Sequence, residues 1–82
     1  MKNIKIKKVM PQKDLQLLVE FSNSTKKLYN VKQLFKQFPD YKMLEHRSLF
    51  EQAYIDCGGC SVAWTPEIDI SEWELWDNGK LI

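Results

Sequence analysis

The N-terminal segment alternates apolar and basic positions, which is the pattern of a strand with one buried face. Ile4 and Ile6 take the apolar positions, with a lysine after each of them. Val9 breaks the alternation, so we predict a bulge or the end of the strand near Lys8. Pro11 has no N–H group for a ladder hydrogen bond and is predicted to end the strand.

The clearest alternation lies in residues 14–22. One face consists of Leu15, Leu17, Val19 and Phe21, and most positions of the other face are polar. Leu18 interrupts the polar face, so we expect another part of the protein to cover it. A polar turn at 22–24 leads into a third strand at 25–29, which predicts a hairpin.

Helical spacing begins after the predicted hairpin. Asn30 is suited to cap a helix over residues 31–38, where an apolar stripe consists of Val31, Leu34, Phe35 and Phe38. Pro39 is predicted to end this helix, and a second short helical segment is predicted at 47–52.

A last helix is predicted near the C-terminus, over residues 72–77. Ser71 and Glu74 form a capping-box pattern that begins it, and Asn78-Gly79 ends it.

Two further strands are predicted at 53–57 and 60–65, joined by Gly58-Gly59, a strong signal for a two-residue hairpin turn. This register pairs Cys57 with Cys60, Ile55 with Val62, and Ala53 with Trp64. All six side chains would then share the core face. Pro66 is predicted to close the second strand.

Together these elements predict one α+β domain over residues 1–82. It would have a mainly antiparallel sheet of about five strands in two hairpins, with two or three short helices packed on it. The chain length suits a single domain, and a hydrophobic content of 44% suits a single core. No apolar run follows the basic start of the chain, so we predict no signal peptide. No stretch approaches the roughly 20 apolar residues of a membrane span, so we expect a cytoplasmic protein.

Charge is distributed unevenly, although the formal net charge is only +1. Residues 1–42 hold ten lysines against three acids, whereas residues 43–82 hold Arg47 and Lys80 against eight acids. Two solvated faces that attract weakly would explain this split. The alternative is a complementary surface for a partner, or a dimer that pairs unlike ends.

Several segments in this order resemble the bacterial domain-of-unknown-function family 2442. The segments are IKIKKV at 4–9, LLVEF at 17–21, YNVKQLF at 29–35, LFEQAYID at 49–56, and IDIS at 68–71. Gly58-Gly59, Trp64, Leu75 and Asn78-Gly79 follow at matching spacings. The resemblance covers nearly the whole chain, and it depends on order and spacing because no single segment is diagnostic.

The resemblance implies a bacterial protein with a mainly antiparallel sheet packed by short helices. Some members are similar to partners in toxin–antitoxin-like pairs, and some carry a helix-turn-helix DNA-binding domain, which is not expected here after Ile82. The family has no established catalytic residues, so none is carried over. Cys57 and Cys60 depart from the Gly- and Thr-rich turn that the resemblance implies.

Cys57 and Cys60 form a C-x-x-C motif and are a candidate redox pair. A redox enzyme places this motif at a helix N-terminus, whereas strands flank it here. Zinc needs four ligands, and only His46 could join the cysteines, so we assign no metal site. A strained, reducible disulfide is within Cα reach. The favoured alternative is two small apolar residues beneath the turn.

Three polar residues could carry acid–base chemistry. Asp56 and Asp69 would do so if their environments separated their pKa values, but we favour Asp69 as a turn residue that accepts backbone N–H bonds. His46 lacks a nucleophile or an orienting group and is predicted to lie on the surface.

A cluster of lysines in the first three strands could bind nucleic acid. It consists of Lys5, Lys7, Lys8, Lys26 and Lys27, and Tyr29 or Tyr41 could provide stacking. However, lysines on strands also keep sheet edges soluble. Because the chain is neutral overall, nucleic acid is not the favoured partner.

Trp64, Trp73 and Trp76 are the candidate interaction residues. Most of this stripe should dock the last helix on the sheet, and any indole left exposed would anchor a partner. We therefore predict a non-enzymatic protein-interaction domain, acting as a homo-oligomer or as a regulatory or toxin–antitoxin-like partner, without cofactor or membrane. The alternatives are a small-ligand sensor or enzyme at the second hairpin, and a nucleic-acid-binding accessory protein.

Overall fold

A computed structural model describes residues 4–82 of the chain. The seven strands in this range are β1 (Ile6–Gln12), β2 (Gln16–Phe21), β3 (Lys26–Asn30), β4 (Tyr54–Asp56), β5 (Ser61–Thr65), β6 (Ile68–Ser71) and β7 (Lys80–Leu81). The α-helices are α1 (Arg47–Phe50) and α2 (Glu72–Asn78), and short 3-10 helices span Lys13–Leu15, Val31–Leu34 and Pro39–Glu45.

The strands form two antiparallel sheets, which confirms the α+β class and corrects the expectation of about five strands in one sheet. One sheet has the order β1-β2-β3-β7, and the other has the order β4-β5-β6. The sequence pattern missed β6 and β7. Residues 68–71 do alternate between buried and exposed positions, but they directly precede a helix cap and were interpreted as part of a turn.

β1 contains the predicted bulge, which lies between Ile6 and Lys8. Pro11 does not end the strand as predicted, because it is paired with Leu17 and β1 continues to Gln12. β1 is the edge strand of its sheet. An edge position tolerates proline because the missing N–H faces away from the neighbouring strand.

β2 and β3 form the predicted hairpin, and Leu17, Val19 and Phe21 are completely buried. Leu15 lies outside the strand, at the end of the 3-10 helix Lys13–Leu15, where its φ is +57°, so the predicted strand began too early. Leu18 lies on the opposite sheet face, between its cross-strand neighbours Met10 and Leu28. These neighbours flank Leu18, which is half-buried.

The predicted helix over 31–38 is shorter than the apolar stripe indicated. Asn30 caps it as expected, since its Oδ1 accepts a bond of 3.0 Å from the Lys32 N–H, but the 3-10 helix ends at Leu34. Phe38 has a non-helical backbone, with φ of −131° and ψ of 83°, because a residue before proline is disfavoured in helical conformation. Its side chain is 47% exposed. Pro39 then begins a helix instead of ending one, since proline suits a first helical turn.

The last helix begins where the capping pattern places it. Ser71 Oγ accepts a hydrogen bond of 3.2 Å from the Glu74 N–H. Glu74 does not complete the capping box, because its carboxylate accepts a bond of 2.7 Å from the Tyr29 hydroxyl. α2 is thereby bound to the first sheet through a buried phenol. It ends at Asn78, and the N–H of the next residue, Gly79, donates to the Leu75 carbonyl oxygen.

One hydrophobic cluster draws on both sheets. Val62 and Ile70 of the second sheet are buried with the apolar face of β2, and α1 contributes the fully buried Phe50. The turn between β4 and β5 also contacts β1 directly, because the Ile6 N–H donates to the Gly59 carbonyl oxygen at 2.9 Å. This bond fixes the second hairpin against the first sheet.

Candidate functional site

Two of the three candidate tryptophans are used in packing. Trp64 is 6% exposed, stacks on Phe50, and donates its indole N–H to the Phe50 carbonyl oxygen at 2.9 Å. Trp76 meets the Phe21 ring edge-on at 5.0 Å between centroids. The Lys27 ammonium covers the Trp76 ring at 4.2 Å. These contacts hold α1 and α2 on the sheets, so both indoles contribute to packing, Trp64 buried and Trp76 partly buried.

Trp73 is the tryptophan that α2 leaves in solvent, with 55% of its surface exposed. Its neighbours Glu72 and Leu75 are buried and face the body of the protein. With 3.6 residues per turn, position 73 falls on the opposite side of the helix. The structure therefore reduces the three predicted interaction residues to one exposed indole.

Cys57 and Cys60 form a disulfide across the second hairpin turn, with their Cα atoms 5.3 Å apart. The turn spans four residues, 57–60, and not the predicted two, because the N–H groups of Gly59 and Cys60 both bond to the Asp56 carbonyl oxygen. Cys57 is exposed, so its expected place on the core face was wrong. Ile55 does pair with Val62, as predicted.

Reduction of this disulfide should destabilise the protein modestly. The bridge closes a loop of four residues, and the loop-entropy relation gives about 2 kcal/mol for so short a loop. The free energy of unfolding, measured in urea with and without dithiothreitol, should fall by about that amount. A Cys57→Ser/Cys60→Ser double variant is the control and should not respond to dithiothreitol. Alkylation of two thiols in native, unreduced protein would contradict the prediction.

The two aspartates at the second hairpin do not converge. Asp56 Oδ1 accepts the Cys57 N–H at 2.9 Å, whereas the backbone oxygen of Asp69 accepts the Tyr41 hydroxyl. They lie in the strands on either side of β5, and only Asp69 lines a cavity described below. The predicted role of Asp69 as a turn residue was wrong, because it lies within β6.

His46 is exposed, as predicted, and directly precedes α1. Its carbonyl oxygen accepts hydrogen bonds from the N–H groups of Leu49 and Phe50. His46 therefore stabilises the start of α1 through its backbone. Within residues 4–82, no three side chains of histidine, cysteine, aspartate or glutamate are grouped to hold a metal ion.

The lysines considered for nucleic acid are divided among separate contacts. Lys5 pairs with Glu72 at 3.5 Å and Lys7 with Glu20 at 3.9 Å. Lys27 is engaged by Trp76, both over the ring and through the backbone oxygen. Lys8 and Lys26 remain exposed.

A groove that the sequence analysis missed runs along β6. We call it the β6 groove, and it consists of two neighbouring cavities of about 290 and 320 Å³ that share Phe38 and Tyr41. The first is lined by Leu34, Phe38, Tyr41, Asp69, Ile70, Ser71 and Glu74. The second is lined by Gln37, Phe38, Pro39, Asp40, Tyr41, Glu67 and Ile68.

Two tyrosines in and beneath the β6 groove are held in their neutral form. Burial raises the pKa of Tyr41, and the nearby carboxylates of Asp69 and Glu74 raise it further. Burial also raises the pKa of Tyr29 far above its usual value, and the hydrogen bond to Glu74 adds to this effect. Both phenols therefore act as hydrogen-bond donors that fix the carboxylate-bearing side of the groove.

Comparison with known protein families, curated proteins and solved structures finds no match to this chain. The resemblance to family 2442 therefore stays a prediction. Within the described residues, no helix has the length and apolar character needed to cross a membrane.

Proposed function

We propose that this chain is a non-enzymatic protein-interaction domain in which Trp73 anchors a partner. The supporting observation is that the three tryptophans differ in burial. Trp64 and Trp76 are used in packing, while Trp73 is 55% exposed. Tryptophan is enriched among the residues that dominate binding at interfaces, because it buries a large area at low entropic cost. A regulatory or toxin–antitoxin-like role is the form of this proposal that the family resemblance favours.

The size of the expected contribution follows from the exposed indole. Complete burial of a large apolar side chain contributes about 1.5–3 kcal/mol of free energy. Truncation of an anchor residue at an interface commonly lowers the binding free energy by about 2 kcal/mol or more. Loss of Trp73 from an interface should therefore weaken binding by at least about tenfold. The fold itself should be little affected, since the ring is not part of the core cluster.

Association is the property to test. We expect light scattering to show a mass that rises with concentration, or purification to yield a defined partner whose affinity can then be measured. Trp73→Ala should weaken that association by about tenfold or more. Tyr54→Ala is the matched control, because Tyr54 is 45% exposed on β4, whereas α2 packs mainly against β3 and β6.

The outcome is decisive in both directions. A wild-type protein that stays monomeric at all concentrations and binds no partner would contradict the proposed function. Equal loss of affinity in the Trp73 and Tyr54 variants would remove Trp73 as the anchor.

A further inference from the structure

We propose that the β6 groove binds an extended peptide segment that carries lysine or arginine side chains. This inference rests on the proposed interaction function and names the chemistry of a partner. It is argued from three properties of the groove: its position on a strand edge, its aromatic wall, and the sign of its charges.

The first property is that the groove follows the outer edge of a sheet, along which the Asp69 backbone oxygen is bonded to the Tyr41 hydroxyl and no described strand is paired with β6. β6 is the outer strand of the β4-β5-β6 sheet, and each residue of the segment 67–71 lines one of the two cavities. An open strand edge presents backbone donors and acceptors at regular intervals, which suits an extended chain lying alongside it. A groove of this shape therefore matches a peptide better than a compact ligand.

The second property is an aromatic wall opposite the strand edge. The rings of Phe38 and Tyr41 meet at 6.1 Å between centroids, and Phe38 is 47% exposed. The Tyr41 hydroxyl donates to the Asp69 backbone oxygen, which holds the wall beside β6 and divides the groove into its two halves. Such a wall can cover the methylene stem of a basic side chain, and its ring faces attract the cationic head.

The third property is that both halves carry acids and neither carries a base. The first half has Asp69 and Glu74, and the second has Asp40 and Glu67. No lysine, arginine or histidine is among the described residues that line them. The field in the groove therefore favours a cation in each half and repels phosphate.

The cation should be organic and not a metal ion. These acids are separated by the aromatic wall, and the described residues contain no cluster of three potential metal ligands. Apolar side chains also line both halves, Leu34 and Ile70 in the first and Ile68 in the second. A lysine or arginine offers an apolar stem to such a surface and a charge to the carboxylates.

The direct test is a titration of the full ¹⁵N-labelled chain with a capped peptide of alternating lysine and threonine. Amide signals of residues 37, 38, 40 and 41 and of residues 67–71 should shift together, and the affinity should fall as salt is raised. The same peptide with glutamate in place of lysine should not bind. Spermidine serves to separate a peptide from a free polyamine, and equal binding of spermidine would overturn the assignment of a peptide.

Variants test whether the groove itself is the site. Glu67→Gln/Asp69→Asn should weaken peptide binding by about tenfold, and Phe38→Ser should weaken it without any change of charge. The matched control is Asp14→Asn/Glu45→Gln, which removes two exposed acids that do not line the groove. Equal weakening in the control, or shifts spread over the whole acidic surface, would overturn the proposal.

Failure of this proposal is distinguishable from failure of the proposed function. The peptide titration reports on the groove and does not depend on Trp73. If Trp73→Ala abolishes association while the lysine peptide leaves residues 37–41 and 67–71 unchanged, the interaction domain stands and the groove assignment is wrong.

Discussion

Gly59→Ala should destabilise the protein by about 3 kcal/mol or more, because it combines backbone strain with a steric clash between the new Cβ and backbone atoms of a neighbouring strand. The φ angle of Gly59 is +111°, a conformation that L-amino acids rarely adopt. A Cβ at this position would lie 2.8 Å from the Ile6 carbonyl oxygen and 2.8 Å from the Lys5 Cβ. Relief would require the turn to leave β1, with loss of the bond between the Ile6 N–H and the Gly59 oxygen.

Gly58→Ala is the matched control for this prediction. Gly58 belongs to the same turn and has a φ of +65°, but a Cβ there would meet nothing within 4 Å. Its substitution should cost only the left-handed strain of a single residue, about 1 kcal/mol. Urea unfolding of both variants measures the difference. If the two glycines prove equally replaceable, the contact between the second hairpin and β1 does not stabilise the fold.

The Gly58-Gly59 turn shows how far local sequence patterns reach. The sequence predicted a hairpin at this position, and the register of Ile55 opposite Val62 was correct, because both follow from neighbouring residues. The reason for Gly59 lies more than fifty residues away in β1. Such a close approach leaves no trace in the local alternation of apolar and polar positions.

The same limit explains the elements that were missed. β2 alternates apart from Leu18, a polar turn connects it to β3, and the start of α2 has a capping residue, so each was predictable from local signals. β7 has only two residues and exists because it pairs with Lys27 and Leu28 of β3. The helix over 31–38 was predicted too long: the apolar stripe extends to Phe38, but the helix ends at Leu34, and Pro39 disfavours a helical conformation at Phe38.

The candidate surfaces were predictable to different degrees. An excess of aromatic residues on a short last helix indicated that one indole would stay exposed, but only the packing of Trp64 and Trp76 identifies Trp73 as that residue. The β6 groove brings together residues 37–41 and 67–71, which are distant in sequence. The signals that could have indicated it are an aromatic residue before Pro39 and an alternating segment at 67–71 whose polar face holds Glu67 and Asp69.

Tyr29→Phe should cost about 1–2 kcal/mol at neutral pH, because it removes the hydrogen bond between a fully buried phenol and the Glu74 carboxylate. This bond joins β3 to α2. The shape of the side chain is otherwise kept, so no large cavity forms. Tyr54→Phe is the control, since Tyr54 is exposed and its substitution should be close to neutral.

The dependence of the unfolding free energy on alkaline pH distinguishes the contribution of this hydrogen bond from that of side-chain packing. Burial, reinforced by Glu74, raises the pKa of Tyr29 in the folded state above the ordinary value of 10.0. Below pH 10 both the folded and unfolded states hold the proton, so the difference in stability between wild type and Tyr29→Phe should be constant. Above pH 10 the unfolded wild type releases the proton while the folded state keeps it, which lowers wild-type stability by about 1.4 kcal/mol per pH unit.

The phenylalanine variant has no such proton to release, so the gap between the two proteins should close between about pH 10 and 11. Lysine titration affects both proteins equally and cancels in the comparison. Urea unfolding of wild type, Tyr29→Phe and Tyr54→Phe across this range provides the measurement. A gap that stays constant above pH 10 would mean that Tyr29 ionises as easily in the folded protein as in the unfolded chain, and the buried link between β3 and α2 would not exist as described.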